Sequence, residues 1–249
     1  MSSTKNSLLE TVKKQYMFKL RLYINLFISL IVVQVIAILF SSGGVGSHGT
    51  STGNINFFEK TFSSDIIIVF SLMWAFFAAV LLTTRDYRDM DFVFIGNRVS
   101  SNISNMVFLA TASLVAGFTA VLGGVLPRVI LYYSLGPHHI LSDNYFLSLG
   151  DLSLAVLATF LYLILICALG YFCGMLVQLS KAFVVIIPAL FFGTLITASA
   201  REEAHLVDYV FNFFVEESSL SLFLVKVIFT AAVLFGSSLL MSNRLEVRK

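Results

Sequence analysis

The chain has 249 residues, 58% of them hydrophobic and only 12% charged, with a formal net charge of +2. Soluble domains carry about 25% charged residues, so a water-exposed globular fold is excluded and the bilayer is the expected solvent. The balanced charge, with no long basic run, gives no footing for a nucleic-acid partner.

Residues 7–20 predict an amphipathic helix lying in the membrane interface. Ser7 and Glu10 fit a capping box. Leu8, Val12, Tyr16 and Leu20 recur every four residues and share one face. The lysines of such a helix turn toward anionic headgroups. The plainer alternative is a positively charged flank of the first span. No cleavable signal peptide is expected, because the first apolar run is long enough to span and lacks a small-residue cleavage pattern.

A span takes about 20 mainly apolar residues. Six runs qualify, near 21–41, 65–84, 103–126, 151–178, 182–200 and 220–241. Helices are expected, since backbone groups in lipid must be satisfied within their own segment. The expected fold is all-α and polytopic: one domain of six transmembrane helices behind an interfacial helix. Asn25 and Gln34 in the first run predict hydrogen bonds between helices. The outer segment 41–64, rich in Gly, Ser and Thr, reads as a flexible loop. The segment 127–150 places Tyr132, Tyr133, Tyr145 and Phe146 beside Arg128, His138 and His139, an aromatic content suited to the bilayer edge. Gly170 and Gly174 form a small-xxx-small signal for close helix packing. Cys167 and Cys173 lie on different faces of one helix and read as packing residues. Pro188 can kink the fifth run. The segment 201–219 mixes acids with aromatics and reads as a short interfacial or partly re-entrant helix. Lys226 is the one basic residue inside a run. It either snorkels to the interface or serves a membrane or gating role.

Loop charge sets an expected orientation. Lys5, Lys13, Lys14, Lys19, Arg21, Arg85, Arg88, Arg98, Lys181, Arg244, Arg248 and Lys249 fall on one side, and Lys60, Arg128 and Arg201 on the other. By the positive-inside rule the richer side is cytoplasmic. Both termini and the 85–101 segment are then cytoplasmic, in a multi-pass protein of the cell membrane.

Several chemistries lack their motifs. There is no phosphate loop, no H-E-x-x-H and no G-x-S-x-G. The adjacent His138 and His139 point different ways in regular structure and do not make a metal site. Glu202 and Glu203 lack the arginine four residues on that an intramembrane CAAX-type protease uses. No enzyme, metal or cofactor is expected in this chain.

What remains is the charged insert 84–101 between the second and third runs. It interleaves Arg85, Arg88 and Arg98 with Asp86, Asp89 and Asp91. Met90, Val93 and Phe94 fall on one helical face, with Phe92 and Ile95 alongside. Asp86 and Asp89 favour a helix start through its dipole, Gly96 can end the helix, and Ser100, Ser101 or Asn102 can cap the next span. Aromatic anchors ringed by charge are how a protein partner is gripped.

At this insert the sequence resembles the permease subunits of type-2 ABC transporters. In that family R-E-x-G-T-x-x-x-L-L-x-x-P-x-S-R follows the second span and holds the helix that docks on the ATPase. Here Arg85-Asp86 stands for Arg-Glu, Phe92-Val93-Phe94 stands near the paired leucines, and Gly96-Asn97-Arg98-Val99-Ser100-Ser101 leads into the third span. The family's proline and Gly-Thr are absent. The resemblance implies a non-catalytic subunit of an ATP-driven exporter. ATP and Mg would be bound by separate ATPase subunits, against which Arg85, Asp86, Arg88, Asp89, Met90, Phe92, Val93, Phe94, Gly96 and Arg98 would dock. A second permease, identical or related, would complete the path. The phenylalanine-rich spans favour an amphiphilic or apolar cargo such as a peptide, lipid or drug-like molecule. The alternative is a membrane scaffold or assembly factor that recruits a cytoplasmic partner through the same segment.

Overall fold

A computed structural model describes residues 8–42, 46–52, 55–61, 65–84, 86–87, 98–135, 148–200, 209, 212–214 and 219–244. Among the described residues the long helices are α1 (Leu8–Leu22), ahead of the first apolar run, and α2 (Ile24–Ser42), α3 (Asp65–Thr83), α4 (Arg98–Leu135), α5 (Leu149–Leu179), α6 (Phe183–Ala200) and α7 (Leu220–Arg244), which follow the six runs. Five of them, α2, α3, α4, α5 and α7, are long and apolar enough to cross a membrane. The chain is therefore a helical, multi-pass membrane protein. The fifth expected run, 182–200, is helical as α6, but its apolar stretch covers Phe183–Thr194, shorter than the other five.

Three expectations need correction. The segment between α2 and α3 is not simply loop: it forms an antiparallel hairpin, β1 (Gly46–Thr52) with β2 (Ile55–Thr61), paired from Gly46↔Thr61 to Thr52↔Ile55. The helical class expected from the sequence stands, with this hairpin added to it. Polar, glycine-containing residues can pair here because a strand ladder needs only backbone groups, and Ile55 and Phe57 supply the β propensity. Second, α4 does not stop at residue 126 but runs through Pro127 to Leu135. Proline removes one backbone donor, which a membrane helix tolerates. Third, α4 begins at Arg98. Ser100, Ser101 and Asn102 therefore lie within its opening turns and do not cap it.

Helix starts elsewhere follow local chemistry. Ser148 caps α5: its hydroxyl accepts from the Asp151 amide at 3.2 Å, with that carboxylate in the first turn. The Ser180 hydroxyl accepts from the Ala182 amide at 3.4 Å ahead of α6. α5 has 31 residues, about 46 Å at 1.5 Å per residue. That exceeds a hydrocarbon core of about 30 Å, so the helix tilts or projects beyond it.

The chain divides into two compact units. One comprises Arg21–Ala75 and Ala110–Leu163. Its core joins Ala37 of α2, Ile67 of α3 and Ala120 of α4, with Ile38, Ile66 and Phe70 packed around them. Gln34 adds the expected polar rung, donating to the Ser71 hydroxyl at 3.1 Å and to the Ala116 carbonyl at 3.2 Å. Trp74 donates to the Ser29 hydroxyl at 2.9 Å. Asn25, the other expected rung, is exposed. At Gly117, α4 approaches α5 closely: a Cβ there would stand 3.2 Å from the Phe160 amide nitrogen.

The other unit comprises Met1–Leu20, Phe76–Leu109 and Ile164–Lys249. Gly170 and Gly174 pack α5 against α3 as their spacing predicts. A Cβ at Gly170 would stand 2.6 Å from the Phe76 carbonyl oxygen, and one at Gly174 would collide with the Thr83 side chain. Cys167 is buried, Cys173 half-buried, and neither forms a disulfide.

Candidate functional site

The polar centre of this second unit is built from α1, α4 and α5. The buried face of α1 carries Val12, Gln15 and Lys19. This differs from the apolar face expected from sequence. Leu8 is exposed, Tyr16 and Leu20 are half-buried, and Lys13 and Lys14 do point outward. Lys19 does not reach for headgroups; it is 0% exposed.

Its ammonium donates to the Asn105 side-chain oxygen at 2.5 Å, the Ser101 carbonyl at 3.2 Å and the Ser101 hydroxyl at 3.4 Å. Ser101 and Asn105 are four residues apart on α4, so one helix face presents both. Asn105 also donates from its amide nitrogen to the Tyr171 hydroxyl at 3.4 Å. Tyr171 donates in turn to the Asn102 side-chain oxygen at 2.7 Å. Tyr171 is 1% exposed, and its ring sits 6.0 Å from that of Phe235 on α7. A relay thus runs from α1 through α4 to α5. Two further buried atoms, Gln15 Oε1 and Ser104 Oγ, find no hydrogen-bond partner among the described residues.

Burying an ammonium is unfavourable unless it is densely hydrogen-bonded. The oxygens that meet this need are set by packing, 82 and 86 residues away along the chain. Sequence reasoning counted Lys19 only as an orientation charge. The available signal was its spacing: four residues after Gln15 and seven after Val12, it lies on their stripe of the helix.

Asp86 is helical and exposed, Tyr87 helical and half-buried. Arg98 opens α4. Arg85, Arg88, Asp89, Met90, Phe92, Val93, Phe94 and Gly96 lie outside the described residues, as do His138, His139, Glu202 and Glu203.

Lys226, half-buried on α7, donates to the Phe213 carbonyl at 3.3 Å and sits 4.3 Å from the centre of the Phe213 ring. It therefore engages the segment ahead of its own helix, through a backbone bond and a cation–π contact. Among the described residues no cluster of three His, Cys, Asp or Glu side chains is placed to hold a metal ion. At the α1 surface, Lys14 bonds Glu10 at 2.8 Å and holds that carboxyl below its ordinary pKa.

The chain matches no protein-family model, no curated protein and no solved structure.

Proposed function

We propose that this chain is the permease subunit of an ATP-driven exporter of the type-2 ABC kind. It spans the cell membrane six times, with α6 as the fifth crossing and both termini in the cytoplasm. The observation that carries this reading is the charged, aromatic insert of residues 85–101 between α3 and α4, in which Asp86 is exposed and Arg98 opens α4. Work done on the insert by a separate ATPase would pass directly into α4. The absence of a phosphate loop agrees with an energy source on another chain. The distribution of basic residues supports the orientation. A second permease copy or a related chain would complete the path, and the apolar spans favour an amphiphilic or apolar cargo.

Purification of the tagged chain from its native membrane, followed by mass spectrometry, tests the reading. An ATP-hydrolysing subunit is expected in near-stoichiometric amount. Phe92→Asp with Phe94→Asp is expected to release that subunit and abolish ATP-dependent transport. An intact, active complex would remove the docking assignment. Retained partner binding with no ATPase among the partners would favour a scaffold instead. Lys226→Met is expected to leave activity nearly intact, because its contacts to the Phe213 carbonyl and ring tie it to the neighbouring segment ahead of its own helix.

A further inference from the structure

We propose that Lys19 is a positioning residue, a breakable fastener through which the N-terminal helix α1 follows the start of α4. The contact reaches the backbone as well as side chains. A carbonyl of a helix moves with the helix, so a bond to Ser101 O reports the place of α4 and not merely a rotamer. Asn105 extends the same contact to Tyr171 on α5.

Permanent attachment would be served better by other residues. An apolar side chain of similar length packs without the desolvation penalty of an ammonium. Gln15 Oε1, one turn along α1, and Ser104 Oγ, next to Asn105, are buried without hydrogen-bond partners among the described residues. Each lowers the stability of the docked arrangement. A released α1 has somewhere else to go: Leu9 and Met17 are exposed beside Lys13 and Lys14, the pattern of a helix able to lie on an anionic leaflet. Once there, Lys19 regains water and headgroup oxygens. The ammonium therefore gives α1 two places of comparable energy, chosen by the position of α4. That the insert and its ATPase drive this choice rests on the proposed function; the fastening itself does not.

The test uses the full chain, with whatever copurifies, in nanodiscs containing anionic lipid. Hydrogen exchange of the α1 amides is compared in wild type, Lys19→Met and Lys19→Met/Asn105→Leu. The single variant is expected to speed α1 exchange about tenfold, the size set by stranding one buried polar partner. The double variant, apolar on both sides, is expected to return α1 to wild-type protection or better. In wild type, an amine-reactive reagent is expected to modify Lys19 at least about tenfold more slowly than the exposed Lys14, in line with its burial. Single-variant exchange within about twofold of wild type, or equal labelling of Lys19 and Lys14, overturns the proposal. The labelling arm decides even where a variant does not fold. Adding ATP and Mg to a complex that contains an ATPase is expected to accelerate Lys19 labelling and to leave α1 exchange of the double variant unchanged. If no ATPase copurifies, the transporter reading fails while the nucleotide-free comparisons still decide the fastener.

Discussion

The two units of this protein solve the same problem with different interiors. In the unit formed by 21–75 and 110–163, three helices meet through Ala37, Ile67 and Ala120, and one glutamine supplies a polar rung. In the unit formed by 1–20, 76–109 and 164–249, the buried set includes a lysine, two asparagines and a tyrosine in one hydrogen-bonded relay. Close packing of small residues suffices to hold membrane helices together. The relay is therefore more than stability requires. A buried charge is a poor investment in stability and a good way to specify one geometry over another. That difference is what the proposed fastening role of Lys19 rests on.

The largest expected effect comes from disturbing the close packing of α5 on α3 inside the unit that holds the relay. Gly170→Val places a Cβ on the Phe76 carbonyl, and Gly174→Val collides with Thr83. Neither neighbour yields easily: one is helix backbone, the other a β-branched side chain. Each variant is expected to lower stability by about 3 kcal/mol, the upper end of overpacking effects, read as thermal unfolding in detergent. Gly236→Ala, where a Cβ meets nothing within 4 Å, is the control expected to leave the transition unchanged.

Removing the acceptor of a buried ammonium comes next. Asn105→Leu takes away the shortest bond to Lys19 and is expected to destabilise by about 1.5–3 kcal/mol, the range for hydrogen bonds to charged groups. Tyr171→Phe loses a bond to Asn102 and one from Asn105, all of them neutral groups, and is expected to cost about 1–2 kcal/mol. In the other unit, Gln34→Leu is expected to cost only about 0.6 kcal/mol, the average for polar contacts between membrane helices. Ser71 keeps its bond to the Ile67 carbonyl when Gln34 is removed. A Gln34→Leu effect as large as that of Asn105→Leu would erase the distinction between the units.

The smallest expected effect lies at the surface of α1. Lys14 depresses the Glu10 pKa by its hydrogen bond and its charge. A carboxylate with a lowered folded pKa contributes stability above its unfolded pKa and loses it as pH falls through the folded value. Acidification below about 4.5 is therefore expected to loosen α1 slightly, visible as faster exchange of its first-turn amides. Glu10→Gln should remove this pH step without altering Lys19 labelling.

Much of the fold was legible in the sequence because hydropathy is a local quantity. Each apolar run became a helix, since a backbone in lipid has few other ways to satisfy its polar groups. The Gly170/Gly174 spacing found its partner, and Gln34 its rung, because small and polar residues in an apolar run have few other uses. Boundaries were less legible. α4 runs past the expected end near 126 and through Pro127, because the proline's lost donor is a single bond in a helix of 38 residues. The hairpin at 46–61 was missed because backbone pairing leaves little trace in a Gly- and Ser-rich composition.

The candidate site divides the same way. The charged insert was recognisable from residue order alone, since aromatics ringed by charge between two spans have no packing purpose in lipid. Lys19 was not. Its charge and its helix could be read off the page, but its burial depends on Ser101 and Asn105, more than eighty residues further along the chain. By itself the sequence determined a membrane-embedded, helical protein with a helix ahead of its first span and a charged segment between the second and third runs, because those properties reside in short windows. Only the tertiary structure decided which face of α1 is buried and that a lysine lies on it, because desolvation and hydrogen bonding of a side chain are properties of its neighbours in space.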